Sequence, residues 1–279
     1  VRSLLQGHHF TTPPGGICAQ STEAGLALLE RAQDLVAESG ARFLAIRDSR
    51  ERWDADLVTD DSQCTVVVDL SPGLDAIRAG FRKDLRAHIR KAEASGLTLR
   101  SGMDQLNEFY AMFSAFVRQS GTPVFGKRLL TETVRVFDGQ LWLLGIWEGE
   151  TMAGGGLQFL LGDTMSGVWG ASLAAHFSQR PNHLMYWESI RYGCQEGFRR
   201  LDLGRCRIGS GQHKFKLQWG GEEVPLYQQF HLRRTDKRPL VADDVASGRA
   251  RPLARLWGRL PLPVTRLMGP VIRRHLPFV

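Results

Sequence analysis

The sequence has little cysteine, and its cysteines form no recognisable metal or disulfide framework. Four cysteines occur in 279 residues. None falls in a Cys-x-x-Cys pair or at a Cys/His ligand spacing. This pattern argues against a structural zinc site and against a disulfide-stapled secreted domain. We therefore expect no bound metal and a reducing, cytoplasmic compartment.

Long apolar runs and familiar catalytic motifs are also missing. No apolar run approaches the roughly 20 residues that a membrane span requires. The N-terminus lacks a signal-peptide pattern. The absence of GxSxG, P-loop and HExxH motifs removes the commonest hydrolase, nucleotidase and zinc-protease interpretations. The chain begins at Val1 with the uncapped stretch LLQGHHFTTPPGG, which predicts that residues upstream are missing.

What the sequence does contain is a globular composition with an excess of positive charge. Hydrophobic residues make up 43% and charged residues 23% of the chain, and the formal net charge is +7. A basic balance favours an anionic partner, such as a nucleic acid, a phosphorylated substrate or a membrane surface. The charge alone does not choose among them.

Hydrophobic periodicity predicts a mixed α/β fold. Residues 21–40 read as one helix capped by Ser21 and closed by Gly40, and residues 64–70 as a strand. Residues 141–172 read as a three-stranded antiparallel meander. A helix from Asn182 to Gly197, a short strand, a short helix and a last strand follow. Ser71 and Pro72 are placed to begin the helix after the first strand.

The stretch 74–94 predicts one amphipathic helix with a cationic flank. Leu74, Ile77, Phe81, Leu85, Ile89 and Ala92 form its apolar stripe. Arg82, Arg86 and Arg90 recur every four residues along one line. Three guanidiniums in a line suit the phosphates of an RNA, although such a run is more often a solvated face.

The segment GSGQHKFKLQWGGEE, residues 209–223, has glycines at both ends of a short cationic and aromatic stretch. We interpret the glycines as sharp turns into and out of one helical turn. Phe215 and Trp219, spaced i and i+4, would anchor this turn inward and leave Lys216 directed at a cleft. Lys214 would point about 200° away from Lys216 around the helix axis.

Three longer stretches resemble a known family: FRKDLRAHIRKAEASGL, the run from NHLMYWESIRYG to GGEEVPLYQQF, and RLWGRLPLPVTRLMGPVIRR. They look like the FemAB-like proteins associated with exosortase systems, within the Fem group of tandem acetyltransferase-like (GNAT) folds. The resemblance implies that residues 1–60 end a first, incomplete GNAT-like domain. Residues 61–233 would form the second domain, and 234–279 a basic amphipathic C-terminal tail.

The resemblance also implies an activity, the transfer of an acyl or aminoacyl group to an amine in cell-envelope or exopolysaccharide assembly. The donor would be aminoacyl-tRNA or acyl-CoA, with no tightly bound cofactor. In the Fem family a Phe-Lys pair lies at the transfer site, and Phe215 with Lys216 matches it. Lys216 would stabilise developing charge or hold the RNA end, and Phe215 would pack against the acyl group or a base.

Asp202, at a predicted strand end, is the candidate general base, with turn capping or pairing to Arg205 as the alternative. Glu188 is either near the substrate or simply a partner for Arg191 or Arg205. Gly155, inside a glycine-rich strand, would let a donor approach the backbone closely. The residues that we expect to bind substrate are Lys214, Arg205, Tyr186, Glu188, Gly155 and Trp219.

The acetyl-CoA loop of typical GNAT enzymes is missing before Asn182, and CRIGSG is only an imitation of it. This weakens acetyl-CoA as the donor. Residues 245–279 contain seven arginines and no acidic residue. Such a tail suits an anionic membrane surface, where each cation adds about 1 kcal/mol, or it packs on the missing part of the first domain.

Three hypotheses follow. The first is a cytoplasmic Fem-type N-acyltransferase, in peripheral contact with the inner membrane surface. The second keeps the fold and uses an acyl-CoA. The third is a non-catalytic module that binds RNA or membrane through its basic helix and tail.

Overall fold

The computed structural model describes residues 4–6, 16–41, 43–48, 51–53, 56–232 and 251–273. The strands are β1 (Leu4–Gln6), β2 (Phe43–Asp48), β3 (Val58–Asp69), β4 (Thr98–Ser101), β5 (Leu141–Glu148), β6 (Thr151–Leu161), β7 (Thr164–Ser172), β8 (Arg200–Arg207) and β9 (Glu222–Leu232). They form one mixed sheet in the order β1-β2-β9-β3-β8-β7-β6-β5-β4. The boundary predicted at residue 60 falls inside β3, and the domain division stays a prediction.

The helices cover both faces of this sheet. They are α1 (Thr22–Ser39), α2 (Leu74–Gly80), α3 (Lys83–Glu93), α4 (Leu106–Gln119), α5 (Lys127–Val136), α6 (Pro181–Gln195), α7 (Gly211–Leu217), α8 (Arg251–Arg259) and α9 (Leu262–Arg273). Trp142, Leu144 and Ile146 of β5 belong to the core under α3 and α6, whereas Leu143 belongs to the core under α4. Because alternate residues of a strand point to opposite faces, the two cores lie on opposite sides of the sheet.

Several predicted elements are confirmed. Strands β5, β6 and β7 form the predicted antiparallel meander. In α1, the hydroxyl of Ser21 accepts a hydrogen bond from the Ala24 N–H at 3.2 Å. The helix ends at Gly40 with φ of 68°, a left-handed conformation that glycine adopts without a steric penalty. Capping residues therefore predicted both ends of this helix.

The single helix expected over 74–94 is wrong, because the chain breaks between α2 and α3. Phe81 and Arg82 both have extended backbone conformations. Gly80, the last residue of α2, is a poor helix former. Phe81 instead turns into the core, where its ring contacts Trp187 and Trp219 edge to face at centroid distances of 6.0 and 5.6 Å. Tertiary packing thus overrides the helical period at this point.

The predicted start of that helix at Ser71 and Pro72 is also wrong. The residue that precedes α2 is Gly73, with φ of 84°. The Ser71 N–H donates to the side chain of Asp69 at 2.9 Å and so forms a turn. An aspartate two residues before an N–H competes with a helix cap for this role.

The described part of the basic tail packs on α4 and the loop after it. The Trp257 indole of α8 donates to the Thr122 carbonyl at 3.2 Å. Arg266 and Arg273 of α9 donate to the carbonyls of Ala111 and Pro123. Residues 234–250 and 274–279 of the tail lie outside the described residues. These two arginines therefore stabilise the contact with α4 and the loop after it.

Candidate active site

A wedge in the sheet creates the candidate site. Strands β7 and β8 run parallel and pair through Thr164, Met165 and Ser166, opposite Arg200, Leu201 and Asp202. Beyond Ser166 and Asp202 the two strands no longer pair. Because neighbouring strands otherwise lie about 4.8 Å apart, their divergence opens a gap that exposes backbone and side chains from both strands.

The gap continues into a cavity of about 560 Å³, which we call the wedge cavity. Its walls come from β7, β8, the first half of α6, α7 and the β2–β9 side of the sheet. The polar side chains that line it include Arg47, Gln63, Thr65, Gln158, Asn182, Tyr186, Ser189, Asp202, Arg205, Gln212, Lys216, Tyr227, Gln228 and Arg273. A cavity of this size with convergent polar groups is typical of a small-molecule site.

Helix α7 positions Phe215 and Lys216 as the sequence indicated. Gly209 and Gly220, before and after the helix, have φ of 78° and 77°. The hydroxyl of Ser210 caps the helix by accepting from the His213 N–H at 3.1 Å. The predicted sharp turns on either side of one short helix are therefore confirmed.

Lys216 is a buried cation at the wall of the wedge cavity. Its side chain is only 1% exposed. The ammonium donates to the backbone carbonyls of Gly204 and Arg205. Burial lowers the pKa of Lys216, while the nearby Cys206 and Asp202 act in the opposite direction. These two carbonyls use two of the three ammonium donors, so one N–H remains for a group in the cavity.

Asp202 is a buried carboxyl that faces the same cavity. It accepts hydrogen bonds from the Thr65 hydroxyl and, at 2.7 Å, from the Gly204 N–H. Burial raises the pKa of Asp202, while these hydrogen bonds and the charge of Lys216 lower it. A carboxyl whose pKa is raised toward neutrality by its surroundings is a stronger base than an exposed one. Asp202 therefore makes the predicted turn contact, and its role as a general base stays a prediction.

Aromatic side chains fix the position of the site. Tyr186 stacks on Trp219 at 5.7 Å and meets Phe215 edge to face at 5.3 Å. Burial raises the pKa of Tyr186 well above its usual range, so its hydroxyl keeps its proton. Trp219 is buried in the core and does not line the cavity, whereas Phe215 and Tyr186 do.

Besides Trp219, three of the expected substrate-binding residues do not line the wedge cavity. Lys214 is exposed on the outer side of α7. Glu188 pairs with Arg191 at 2.7 Å, the simpler of its two interpretations. A side chain at Gly155 would meet the Leu144 carbonyl, and the neighbouring Gly156 lines the cavity instead. Successive residues of a strand or helix point in different directions. The cavity is therefore lined by Gly156 and Lys216, one and two positions after Gly155 and Lys214.

The cationic line of α3 also lies away from the wedge cavity. Arg82 precedes the helix, is 83% exposed and lies 3.6 Å from Asp84. Arg86 donates to the Ala79 carbonyl at 3.2 Å. Arg90 is exposed in the last turn of the helix. Because the helix begins after Arg82, the three guanidiniums do not form the continuous line that the spacing predicted.

Sequence reasoning missed the β2–β9 end of the cavity. Arg47 and Gln228 lie directly opposite each other on these strands. Both are buried and line the cavity. The available signal was Arg47 directly after the four apolar residues 43–46, because an arginine in a buried strand is unusual unless it is paired.

Among the described residues, one group of side chains could hold a metal ion and so bears on the prediction of no metal. Ligand atoms of Cys64, His213 and Glu223 lie within 4.8 Å of one another. The Nδ1 of His213 accepts from the Gly209 N–H, so Nε2 carries the proton that is shared with Glu223 at 2.6 Å. Burial raises the pKa of Cys64 to about 12. His213 and Glu223 share a hydrogen bond, whereas the Cys64 thiol pairs with the Cys206 thiol at 3.7 Å. The expectation of no bound metal stays a prediction.

Among the described residues, no helix combines the length and the apolar character needed to cross a bilayer.

Comparison with known protein families finds one match, which covers the segment of the chain that contains the wedge. Residues 79–217 match the family model described as acetyltransferase (GNAT) domain, which is just under half of the chain. No curated protein matches the sequence. The matched segment contains α3 to α7 and therefore both sides of the wedge.

Solved structures share the fold at low sequence identity. A crystal structure of FemX has a TM-score of 0.56 and 14% identity, over 74% of this chain and 76% of that one. The C-terminal domain of a putative lysylphosphatidylglycerol synthetase from Agrobacterium fabrum has the same score and identity, over 75% and 74%. L-PGS from Bacillus licheniformis reaches 0.54 at 13%, over 88% and 78%. Residues 79–217 are thus similar to a GNAT acetyltransferase domain, and the protein is an acyltransferase of mixed α/β fold.

Proposed function

We propose that this protein transfers an acyl group from a thioester donor to the nitrogen of an amine acceptor inside the wedge cavity. The observation that carries the proposal is the pair of buried ionisable groups, Asp202 and Lys216, at the point where β7 and β8 separate. The match of residues 79–217 to an acetyltransferase model favours acyl-CoA as the donor. Amine acylation needs a base for the acceptor and a cation for the developing oxyanion.

The residues divide the chemistry between them. The acceptor nitrogen attacks the carbonyl carbon and forms the new C–N bond, and Asp202 takes the proton that the nitrogen loses. Lys216 provides the N–H that stabilises negative charge on the carbonyl oxygen. As the C–S bond breaks, the Tyr186 hydroxyl donates a hydrogen bond to the leaving sulfur, the thiolate takes its proton from solvent, and Asp202 releases the proton it has taken to solvent after the product leaves.

Phe215 and the glycine side of the wedge position the donor. Phe215 lines the cavity beside Tyr186 and presents an apolar surface to the acyl chain. Gly156, Gly167 and Gly170 also line it, and their missing side chains allow close approach to the backbone. A donor that lies along β7 would bring its carbonyl toward Asp202.

The resemblance to Fem-type proteins extends the proposal to the acceptor and the location. We infer an amine-bearing precursor of envelope or exopolysaccharide assembly as the acceptor and a cytoplasmic site at the inner face of the membrane. Apolar side chains exposed on α8 and α9, namely Leu253, Leu256, Val264, Leu267, Met268 and Val271, support a peripheral contact. Aminoacyl-tRNA is the competing donor.

The donor is tested by binding. The purified full chain is titrated with acetyl-CoA, with charged tRNA and with uncharged tRNA at two salt concentrations, because phosphate contacts weaken with salt. Binding of acetyl-CoA, followed by thiol release when amines are added, supports the proposal. A preference for charged tRNA replaces the donor with an aminoacyl ester, and binding of uncharged tRNA alone supports the non-catalytic module.

A further inference from the structure

The β6 wall of the wedge cavity contains a buried amide oxygen without a partner. Gln158 of β6 is 6% exposed and lines the cavity. Its Oε1 is buried and has no hydrogen-bond partner among the described residues. A buried polar group without a partner costs free energy, and native structures contain few of them. A ligand that donates a hydrogen bond would supply the missing partner.

Neighbouring hydrogen bonds fix the orientation of this amide. The Nε2 of Gln158 donates to the Ser189 hydroxyl oxygen at 2.6 Å, and the Ser189 hydroxyl donates to the Met185 carbonyl at 2.9 Å. Because the hydroxyl proton of Ser189 is already used, its oxygen accepts the bond from the amide. The amide nitrogen therefore points at Ser189, and Oε1 is left for the cavity.

Helix α6 shows how deep in the gap this oxygen lies. A side chain at Gly193, near the end of α6, would meet Met165 in the part of β7 that pairs with β8. The helix therefore runs from the open end of the gap toward the closed end, where the two strands pair. Ser189 follows Tyr186 by three residues, about 4.5 Å along the helix axis. Its partner Gln158 thus lies beyond Tyr186, toward the closed end.

This depth favours the acyl group of the donor as the ligand of Gln158. The nucleotide of acyl-CoA is bulky and charged, so the acyl end has to enter the gap first. With the leaving sulfur at Tyr186, the acyl group is the part of the donor that extends toward Gln158. Gly167 lies opposite Gln158 on β7, and its missing side chain keeps the path between the gap and the amide open.

The acceptor nitrogen lies on the other face of the sheet. Leu201 and Leu203 belong to the core under α3 and α6, so Asp202 between them points to the opposite face. Gln158 points toward α6, where its partner Ser189 lies. An acceptor nitrogen at Asp202 and an acyl group at Gln158 would therefore meet from opposite faces of the gap, as bond formation between them requires.

The surroundings of Oε1 favour an uncharged group. The α6 residues that line the cavity are Asn182, Met185, Tyr186 and Ser189, and each is uncharged. An ammonium at this depth would need a carboxylate partner, and the nearest carboxyl of the site, Asp202, points to the other face. A hydroxyl donates to an amide oxygen without this requirement.

We propose that Gln158 is a specificity-determining residue that selects a thioester donor whose acyl group carries a hydroxyl. The hydroxyl donates to Oε1 and so satisfies the buried acceptor. An acetyl group would leave Oε1 without a partner. The assignment rests on the proposed acyl transfer from a thioester, and it names the class of acyl group that is transferred.

Matched thioesters test the assignment by calorimetry on the purified full chain, with no amine present. The pairs are hydroxyacetyl-CoA with propionyl-CoA and 3-hydroxypropionyl-CoA with butyryl-CoA, in which a hydroxyl replaces a methyl group. We expect the wild type to bind the hydroxylated member of at least one pair about tenfold or more tightly, because a site that hydrogen-bonds a hydroxyl rejects the analogue without it. Gln158→Met should lose this preference.

The control is Gln195→Met, because Gln195 is exposed at the end of α6. Its preference should remain within about twofold of the wild type. Equal affinities within both pairs in the wild type, or an unchanged preference in Gln158→Met, would overturn the assignment and leave the thioester donor in place. If none of the thioesters binds, the proposed donor and the assignment both fail.

A charged acyl group and the stability of the variant complete the test. β-Alanyl-CoA, with an ammonium in place of the hydroxyl, should bind more weakly than 3-hydroxypropionyl-CoA, and tighter binding would overturn the choice of an uncharged group. Gln158→Met removes the unpartnered acceptor and leaves the Ser189 hydroxyl bonded to Met185. Without ligand it should unfold at a temperature no lower than the wild type. A lower temperature would contradict the unpartnered state of Oε1.

Discussion

The charged residues that line the wedge cavity are buried, whereas those on and just before α3 are exposed to solvent. Arg82 and Arg86 lie on the surface, where Asp84 and the Ala79 carbonyl are their partners. Lys216 and Arg47 are at least nine-tenths buried and face the cavity. Water solvates an exposed guanidinium at little cost, whereas a buried charge persists only where partners or function maintain it. Burial therefore distinguishes functional charge from solvated charge better than spacing along a helix does.

The largest effect should come from Asp202→Asn. The amide keeps an acceptor oxygen for the Thr65 hydroxyl and the Gly204 N–H, but it cannot take a proton. We expect kcat to fall by about 10² to 10⁴-fold, the usual contribution of a general base. Steady-state thiol release measures this, with circular dichroism as the control for folding. A kcat within threefold of the wild type would remove Asp202 from the chemistry.

The pH dependence should identify the same group. Because burial raises the pKa of Asp202, kcat should rise as pH increases through that raised pKa and reach a plateau above it. The folded state favours the protonated carboxyl, so this group's contribution to stability declines as pH rises from its ordinary pKa through the raised one. We would measure kcat of the wild type and of Asp202→Asn from about pH 4 to about pH 9. The rise of kcat with pH should be present in the wild type and absent from the variant. An identical rise in the variant would assign it to another group.

Two lysines on α7 sharpen the comparison through stability. Lys216→Met leaves the carbonyls of Gly204 and Arg205 without their donor. We expect the free energy of unfolding to fall by about 1 to 3 kcal/mol. Lys214→Met, on the exposed side of the same helix, should change it by less than about 0.5 kcal/mol. Urea denaturation of both variants gives these values, and equal losses would mean that the burial of Lys216 has no energetic consequence.

The smallest effect should follow from changing Arg82 and Arg86 together to glutamine. Exposed charges usually contribute less than about 1 kcal/mol, so stability and kcat should remain close to the wild-type values. A filter-binding assay with tRNA is the discriminating measurement. A large loss of tRNA binding would restore the phosphate-binding interpretation of α3 and weaken the comparison with the cavity.

Local signals predicted much of the fold. The Ser21 cap, the glycine turns around α7 and the meander of β5 to β7 depend on neighbours in sequence, and the structure confirms them. The break at Phe81 depends on Trp187 and Trp219, which lie far along the chain. No local pattern contains that packing.

The candidate site shows the same division. Phe215, Lys216 and Asp202 lie within one short stretch of the chain, so the sequence analysis assigned them to one site. All three line the wedge cavity. Arg47 reaches the cavity only because β2 pairs with β9, an association across more than a hundred residues. The same long-range strand pairing explains why the sequence did not predict Gln228, which lies opposite Arg47 on β9.

The most direct test of the account compares kcat for Lys216→Met with kcat for Lys214→Met, using acetyl-CoA and an amine that the wild type accepts. The two positions share a helix, a charge and a side-chain length, and they differ in burial. The account predicts a loss of about 10² to 10³-fold for Lys216→Met, as for removal of one oxyanion donor, and a wild-type rate for Lys214→Met. Equal rates in the two folded variants would contradict the claim that buried charge at the wedge performs the chemistry.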